Sequence, residues 1–306
     1  MREIQNVAVL GAGAMGAYFA ASFFDTPGFK TVLLAKGERL QKLNKEGLVI
    51  NGKPYFIPAV DPDDAPFSAD LIIVGVKHQH LSAAIPDLKK WVGPETTILS
   101  ILNGLESEEM IGAVYGMDKL LYTISLGIDA VRLGNQITFT KPGKHVFGEA
   151  KNLLITPKVK RVQDAFTKAG ITFETPPDMT RMLWWKFMIN VGVNQASAVT
   201  GMPYGTFQTD SEAQGLMEGL MREVIALAAA AQVDLTAEDL TGWYPIMNTL
   251  SAQGKTSMLQ DVEAKRKTEV DIFGGKVVEL GKKYNIPTPV NETVTQIIRV
   301  LEKNFA

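Results

Sequence analysis

The segment Asn6-Val7-Ala8-Val9-Leu10-Gly11-Ala12-Gly13-Ala14-Met15-Gly16 decides the fold of this chain. Its first five residues form a short apolar run, which predicts a buried parallel strand. In the Gly-x-Gly-x-x-Gly turn that follows, the first glycine permits the tight bend and the second lets the backbone approach a pyrophosphate. The third lets the next helix pack closely on the strand. Strand, turn and the apolar helix at residues 17–24 together predict a dinucleotide-binding unit, with Gly11, Ala12, Gly13, Ala14, Met15 and Gly16 as its cofactor loop.

Strand and helix patterns alternate from this unit to residue 174. Strands are predicted at residues 31–35, 70–76, 96–102, 120–130, 136–147 and 171–174, and helices at 38–46, 81–91 and 159–169. Pro86 should kink or break the second of these helices. A hairpin is predicted at residues 48–57, because Asn51-Gly52 favours the tight turn that joins antiparallel strands. This alternation predicts a mostly parallel, doubly wound sheet.

The pattern changes after Pro176-Pro177, where every predicted element is helical. These helices are expected at residues 179–198, 212–231, 237–252, 257–284 and 289–303. We therefore predict an α/β protein with a Rossmann-like doubly wound sheet in residues 1–176 and an all-α domain in residues 177–306. The first domain would bind the cofactor, and the helical domain would hold the substrate and the catalytic groups.

The composition excludes several classes of function. The 306 residues are 46% hydrophobic and 21% charged, with a net charge of −2, so no basic surface for nucleic acid or membrane is expected. No apolar run reaches the length of a transmembrane helix. The absence of cysteine excludes disulfides and thiolate catalysis, and the three histidines lack metal-binding spacing, so no metal site is expected. Without a signal-peptide pattern, the chain is expected to be cytoplasmic.

The end of the second predicted strand indicates which dinucleotide is used. NAD-binding sites usually place an acidic residue there, bonded to the ribose 2′-hydroxyl. Here Lys36 occupies that place, and Arg39 lies within reach of the same loop, although Glu38 argues mildly for NAD. Cations suit a 2′-phosphate, so the sequence predicts NADP. The alternative is a solvated helix start, which the helix dipole disfavours for cations.

Two further loops end predicted strands with polar residues. Lys77 follows the strand at residues 70–76, and Asn103 with Gly104 follows the strand at residues 96–102. Ligands in open α/β sheets bind beyond the carboxyl ends of the strands. Both side chains are therefore candidate contacts to cofactor or substrate, and ordinary loop polarity is the alternative for each.

A polar stripe crosses an otherwise apolar helix at residues 183–194. Lys186, Asn190 and Asn194 are four residues apart, so each step drifts by only about 40° on an α-helix. Buried amides and ammonium groups need partners, since leaving an amide unpaired costs roughly 1–3 kcal/mol. The stripe is either a core network, with Lys186 reaching solvent, or the wall of a polar pocket. In the pocket, Lys186 would be a proton donor or an anion anchor.

A second segment of the helical domain carries Ser257 and Glu269. Glu269 precedes the apolar residues Val270, Ile272 and Phe273, so its carboxylate could be drawn inward to hold an ammonium such as that of Lys186. An exposed position on a charged helix is the alternative. Ser257 and Glu269 lie about 18 Å apart along a straight helix, so both reach one ligand only if the segment bends or the ligand is extended.

These residues together resemble the ketopantoate reductase family (2-dehydropantoate 2-reductases) over nearly the whole chain. The specific motifs are Leu183-Trp184-x-Lys186-x-x-x-Asn190-x-x-x-Asn194, Ser257-Met258-Leu259-Gln260-Asp261 and Thr268-Glu269. The resemblance implies that Lys186 is the proton donor and that Glu269 lies beside the lysine and the cofactor. It implies substrate contacts from Asn190, Asn194, Ser257 and Asn103, and cofactor contacts from Lys77, Asn103 and the backbone of Ala130.

The activity that this resemblance implies is the NADPH-dependent reduction of 2-dehydropantoate to pantoate, a precursor of pantothenate. Tyr204 stands where better-known members carry a substrate-contacting asparagine, which favours as an alternative an NADP-dependent reductase of another branched 2-keto acid. A non-catalytic NADP-binding sensor is a more distant alternative. The expected partner is a small-molecule 2-keto acid, and the sequence is compatible with a homodimer.

Overall fold

The computed structural model describes residues 2–141 and 143–305. Met1 and Ala306, at the ends of the two predicted domains, and Pro142, inside the strand predicted at residues 136–147, lie outside the described residues. The chain divides into two compact units, Met1–Thr180 and Arg181–Ala306. The division falls close to the change of pattern after Pro176-Pro177.

The described residues of the first unit form strands and helices. The strands are β1 (Asn6–Leu10), β2 (Lys30–Leu34), β3 (Leu48–Ile50), β4 (Lys53–Tyr55), β5 (Ala59–Val60), β6 (Ala69–Val74), β7 (Val92–Ser100), β8 (Leu120–Leu126), β9 (Asp129–Leu133), β10 (Gln136–Lys141), β11 (Lys144–Gly148) and β12 (Phe173–Glu174). The helices are α1 (Ala14–Phe24), α2 (Gly37–Glu46), α3 (His78–Ala84), α4 (Ser107–Tyr115) and α5 (Pro157–Lys168). A 3-10 turn, Ile85–Leu88, follows α3 where Pro86 was expected to break the helix.

Eight strands form the main sheet, in the order β12-β11-β8-β7-β6-β1-β2-β5. All neighbouring pairs are parallel except β8 with β11. Strand β1 lies between β2, which follows it in sequence, and β6, so the strand order reverses beside β1. Dinucleotides bind at such a switch point, beyond the carboxyl ends of the strands.

Strand β1 carries apolar side chains on both faces, as a buried parallel strand requires. Val7 and Val9 belong to the apolar core of one face, which also holds Phe19 of α1 and Phe166 of α5. Ala8 and Leu10 belong to the core of the other face, which also holds Leu81, Trp91 and Ile111. Helices therefore cover both faces, and the predicted doubly wound sheet is confirmed.

Four short strands form a second sheet, in the order β4-β3-β10-β9. The hairpin of β3 and β4 turns at Asn51 and Gly52, whose φ angles are 48° and 80°, so the hairpin prediction is confirmed. The strands predicted at residues 120–130 and 136–147 are each two strands instead. Gly127 separates β8 from β9 and Gly143 precedes β11; both have a positive φ, which turns the chain out of the extended conformation.

In the second unit every described element is helical. The helices are α6 (Met179–Ile189), which begins in the first unit, α7 (Gln195–Thr200), α8 (Tyr204–Thr209), α9 (Ser211–Ala230), α10 (Ala237–Thr241), α11 (Trp243–Met247), α12 (Ser257–Glu263), α13 (Lys276–Tyr284) and α14 (Pro289–Glu302). Two π-helical turns, Asn190–Asn194 and Asp271–Gly275, precede α7 and α13. The α/β sheet followed by an all-α domain is thus confirmed.

The single helix predicted at residues 257–284 is wrong. Helix α12 ends at Glu263, and Lys265 follows with a φ of 51°, which ends a right-handed helix. Helix α13 begins only at Lys276, after the second π-helical turn. The straight-helix distance between Ser257 and Glu269 therefore does not apply to this segment.

A membrane span is not found in the part of the chain that the structure describes. Among residues 2–141 and 143–305, no helix combines the length and the apolar character that crossing a bilayer requires.

Candidate active site

The glycine turn after β1 has the shape of a dinucleotide cradle. Gly11 has a φ of +99°, and a Cβ there would lie 2.6 Å from the carbonyl carbon of Gly75. A Cβ on Gly16 would lie 2.0 Å from the Gly11 carbonyl oxygen, so only glycine lets α1 pack this closely on the turn. Around Gly13, the nearest atom to an added Cβ is 3.7 Å away. Space is therefore left over Gly13, where a pyrophosphate approaches the backbone in this motif, and the turn fits a dinucleotide.

Helix α1 begins directly at this turn and lacks a side-chain cap. Gly13 is its N-cap residue, and the Gly13 carbonyl accepts the first helical hydrogen bond, from Ala17 N at 2.9 Å. Since no side chain caps the helix, its first N–H groups can bind an anion instead. This is the arrangement that a bound phosphate group would use.

Lys36, predicted to contact the 2′-phosphate, is held by carboxylates. Its Nζ lies 2.6 Å from Asp87 Oδ1 and 3.7 Å from Asp63 Oδ2. The hydrogen bond that Lys36 donates to Asp87 raises the pKa of Lys36. These acidic neighbours already compensate the ammonium charge, so Lys36 offers less attraction to a phosphate than the sequence suggested.

Two arginines meet at the glycine turn. Arg39, on the first turn of α2, donates from Nη2 to the Ala12 carbonyl oxygen at 3.3 Å, and Arg132 of β9 donates from Nη1 to the same oxygen. Burial lowers the pKa of Arg132, and the positive charge of Arg39 lowers it further by a smaller amount. Arg132 is not among the residues predicted from the sequence. Its position in the sequence could have indicated it: Arg132 lies two residues after Ala130 on one strand, and residues two apart on a strand point to the same face of the sheet.

A buried network supports the loop that carries Asn103. Glu108, fully buried on α4, accepts a hydrogen bond from Ser107 Oγ at 2.8 Å, and Ser100 Oγ bonds Ser107 Oγ at 2.7 Å. Burial raises the pKa of Glu108 to about 7. Asn103 lies between Ser100, where β7 ends, and Ser107, where α4 begins, so this network ties both ends of its loop together. Lys77, exposed, follows the neighbouring strand β6.

The polar stripe of the helical unit spans α6 and the first π-helical turn. Lys186 lies in the last turn of α6, and Asn190 and Asn194 are the first and last residues of the π-helical turn. A π-helical turn holds more residues than an α-helical turn, so each of its residues rotates less about the helix axis. The four-residue step from Asn190 to Asn194 therefore does not continue the drift that an α-helix would produce. The two amides thus stay closer to one line than a regular helix would keep them.

The charge on Lys186 is controlled by two opposing effects. Burial of the ammonium lowers the pKa of Lys186 to about 8, and the negative charge of Glu269 raises it. Glu269 itself is partly buried and immediately precedes Val270, which is completely buried. The charge of Glu269 therefore acts on Lys186, and the two groups are coupled electrostatically.

Asn194 is a buried amide without a described protein partner. Asn190 and Asn194 are only 8% and 6% exposed. Within residues 2–141 and 143–305, no hydrogen bond to the Asn194 side chain is found, whereas the buried amide of Asn152 bonds the Pro176 carbonyl at 2.8 Å. An amide in this state is available to the oxygen atoms of a ligand.

A second buried amide, which was not predicted from the sequence, holds the π-helical turn. Gln195 is completely buried, and its Nε2 donates to the Val191 carbonyl and to Asn291 Oδ1, both at 2.9 Å. Asn291 in turn donates to Glu223 Oε2 at 2.7 Å and to the Leu220 carbonyl at 3.1 Å. This network anchors the turn to α9 and α14, and so fixes the direction of the stripe.

The remaining predicted residues lie at defined places on their elements. Ser257 is exposed at the start of α12, which Thr256 caps by accepting a hydrogen bond from Leu259 N. Ala130 pairs with Phe139 across the second sheet, on the same strand as Arg132. Tyr204 begins α8, and a Cβ added at Gly254 would lie 3.2 Å from its ring, so the tyrosine packs beside the loop that leads to Ser257.

Replacing Asn194 tests whether its amide faces a ligand. If it does, Asn194→Ala should raise KM for the keto acid and change the melting temperature little, because no protein group loses a partner. If the amide serves the core, the change should cost about 1–3 kcal/mol of unfolding free energy and leave KM unchanged. Asn152→Ala is the matched control, since that amide is bonded to the protein and should affect the melting temperature only. A large drop in melting temperature with an unchanged KM would contradict the ligand-facing assignment.

Comparison with known proteins identifies the family. Residues 7–152 match the family model described as "Ketopantoate reductase PanE/ApbA", and residues 178–302 match the model "Ketopantoate reductase PanE/ApbA C terminal". A 2-dehydropantoate 2-reductase of Aquifex aeolicus (strain VF5) is 26% identical over 307 residues, which cover 98% of this chain and 97% of the relative.

Solved structures share the fold. A PanE/ApbA family ketopantoate reductase from Ralstonia eutropha JMP134 superposes with a TM-score of 0.86 at 24% identity, over 98% of this chain and 99% of that chain. D-mandelate dehydrogenase with NADH and anilino(oxo)acetate gives a TM-score of 0.88 at 22% identity, with the same coverage. Because the two family models together span most of the sequence, the chain belongs to the ketopantoate reductase family and is an oxidoreductase of that family.

Proposed function

We propose that this protein reduces 2-dehydropantoate to pantoate with NADPH, in pantothenate biosynthesis. The observation that carries the proposal is a buried lysine, Lys186, whose pKa is lowered to about 8, on one stripe with two buried asparagines. A group with this pKa is protonated at neutral pH and still acidic enough to give up its proton readily. Perturbed lysines of this kind are typical of catalytic sites.

The proposed mechanism assigns a step to each residue of the helical unit. NADPH, when bound, would supply the hydride for C2 of the keto acid. Lys186 stabilises the negative charge that develops on the ketone oxygen and then donates its Nζ proton to that oxygen. Glu269 keeps Lys186 protonated in its buried position. Asn190, Asn194 and Ser257 bind the polar groups of the substrate and hold its ketone against the ammonium.

The cofactor proposal rests on the first unit. The glycine turn fits a dinucleotide, and Arg39 supports NADPH rather than NADH because it places a cation beside that turn. Asn103, Lys77 and the Ala130 backbone are proposed as further cofactor contacts, with Asn103 also facing the substrate. Glu269 would contact the cofactor in addition to its effect on Lys186.

Removing the cations near the ribose should change cofactor preference. The double variant Lys36→Ala, Arg39→Ala should weaken NADPH binding about 10-fold or more and NADH binding little, since a charged hydrogen bond contributes roughly 1.5–3 kcal/mol. Arg39→Ala alone should account for most of the loss, because Lys36 is compensated by Asp87. Lys45→Ala, an exposed cation later in α2, is the control. Equal loss for both cofactors would show that neither residue reads the 2′-phosphate.

A substrate panel tests the proposed reaction. NADPH oxidation should be fastest, in kcat/KM, with 2-dehydropantoate, and one pantoate should form for each NADPH consumed. Simple, branched and aromatic 2-keto acids complete the panel. A higher kcat/KM with another 2-keto acid of the panel would overturn the proposal that 2-dehydropantoate is the substrate. If the protein binds NADPH but turns over no 2-keto acid, the proposed enzymatic activity is overturned and a sensor is supported.

Tyr204 supports one second candidate function, the reduction of another branched or aromatic 2-keto acid. A phenol replaces the amide that family resemblance leads us to expect, and it packs beside the loop before Ser257. The structurally similar D-mandelate dehydrogenase, which was solved with anilino(oxo)acetate, bears a ligand with an aromatic group. Comparing wild type with Tyr204→Asn on the same panel separates the two candidates.

A further inference from the structure

We propose that Arg132 forms, with Arg39, the binding site for the 2′-phosphate of NADPH. This inference rests on the proposed function for the cofactor but not for the keto acid. It adds a residue from a separate sheet to the cofactor site, and it places the phosphate between two guanidinium groups.

The two side chains arrive at one point from different elements. Arg39 comes from α2, immediately after β2, where Rossmann-like proteins read the ribose 2′ position. Arg132 comes from β9, the edge strand of the second sheet, and its Nε also donates to the Gly134 carbonyl at 2.8 Å. Their shared acceptor is the Ala12 carbonyl of the glycine turn. The arginines therefore flank the space between the ends of β1 and β2.

The described side chains do not balance the charges at this point. Among them, a set that does not include the side chain of Asp129, no carboxylate lies within 4 Å of either arginine, and the partner that the two arginines share is a neutral carbonyl. Lys36 differs, because Asp87 and Asp63 lie beside it. Two adjacent guanidinium groups without a counter-ion repel each other, and an anion between them would remove that repulsion.

A phosphate monoester fits this pair better than the other anionic group of the cofactor. Guanidinium groups bind phosphate oxygens with two parallel hydrogen bonds, and a monoester dianion can accept such bonds from both arginines. The pyrophosphate is expected at the uncapped start of α1, over Gly13. Arg39 instead follows β2, on the ribose side of the turn, so the 2′-phosphate is the group within its reach.

Equilibrium binding to Arg132→Gln tests the proposal without an activity assay. Glutamine keeps an amide that can bond the Ala12 and Gly134 carbonyls but removes the charge. The dissociation constant for NADPH should rise about 10-fold, and that for NADH should change by less than twofold, both measured by titration of protein fluorescence. Adenosine 2′,5′-bisphosphate, which carries the 2′-phosphate without nicotinamide, should lose affinity in parallel with NADPH. Lys141→Gln, an exposed cation on the neighbouring strand β10, should leave all three constants unchanged.

The outcomes separate this inference from the rest of the account. If Arg132→Gln weakens the binding of NADPH and NADH equally, Arg132 contacts a group that both cofactors carry, and the proposal is overturned. An unchanged affinity for NADPH in this variant would overturn it as well. If wild type binds NADPH but turns over no keto acid, the proposed reaction fails while the binding result for Arg132 still stands. If wild type does not bind NADPH, both proposals are overturned.

Discussion

Replacing Lys186 by alanine should lower kcat/KM for the keto acid by about 10²–10⁴-fold, the usual effect of losing a general acid. The loss should appear mainly in kcat, because the ammonium acts most strongly on the charge that develops during hydride transfer. NADPH should bind as it does to wild type, since the glycine turn and its arginines belong to the other unit. Steady-state kinetics and cofactor titration measure the two effects.

Two controls make the Lys186 result interpretable. Lys282→Ala removes an exposed lysine of α13 and should leave kcat/KM unchanged. Lys186→Met keeps most of the length of the side chain without the ammonium group, and it should be as inactive as the alanine variant if the proton matters rather than the packing. Turnover near the wild-type value in either Lys186 variant would remove Lys186 from the mechanism and return the stripe to a structural role.

Glu269→Gln should move the alkaline limit of activity to lower pH. The carboxylate of Glu269 raises the pKa of Lys186 against the effect of burial, so its neutral replacement should lower that pKa. A nearby opposite charge typically shifts a pKa by about 1–3 units, and activity above pH 8 should fall by roughly 10–10³-fold. At low pH, where Lys186 is still protonated, the variant should approach the wild-type rate.

The pH profile distinguishes this electrostatic effect from simple damage to the fold. A structural defect would lower kcat/KM by the same factor at every pH, whereas loss of the charge should shift the profile. Glu292→Gln, which changes an exposed carboxylate on α14, should give the wild-type profile. A profile for Glu269→Gln that falls at the same pH as wild type would contradict the coupling of Glu269 to Lys186.

The fold of the first unit was predictable because its signals are local. The apolar run of β1, the glycine turn and the Asn51-Gly52 turn each specify a backbone conformation within a few residues. The splitting of the strands predicted at residues 120–130 and 136–147 was harder to predict. Strand propensity continues across Gly127 and Gly143, and only the positive φ of these glycines shows that the chain turns there.

The polar stripe of the helical unit was also predictable, because its three residues recur every four positions. The π-helical turn that carries Asn190 and Asn194 was not predictable, since the contact that anchors it joins Gln195 to Asn291, which is distant in sequence. The same limit applies to the cofactor site. Lys36 and Arg39 look equivalent in sequence, but they have different neighbours. Asp87 compensates the charge of Lys36, whereas Arg132 lies beside Arg39. The roles of these residues depend on contacts between separate elements, and a local sequence pattern does not predict such contacts.

The pH dependence of kcat/KM for wild type, measured with NADPH and 2-dehydropantoate between about pH 6 and 10, tests the central claim most directly. This parameter reports ionisations of the free enzyme. Lys186 must be protonated to donate, and its pKa is lowered to about 8 by burial. We expect a constant value at low pH and a fall of tenfold per pH unit above about pH 8. A value that stays constant to pH 10 would contradict Lys186 as the proton donor.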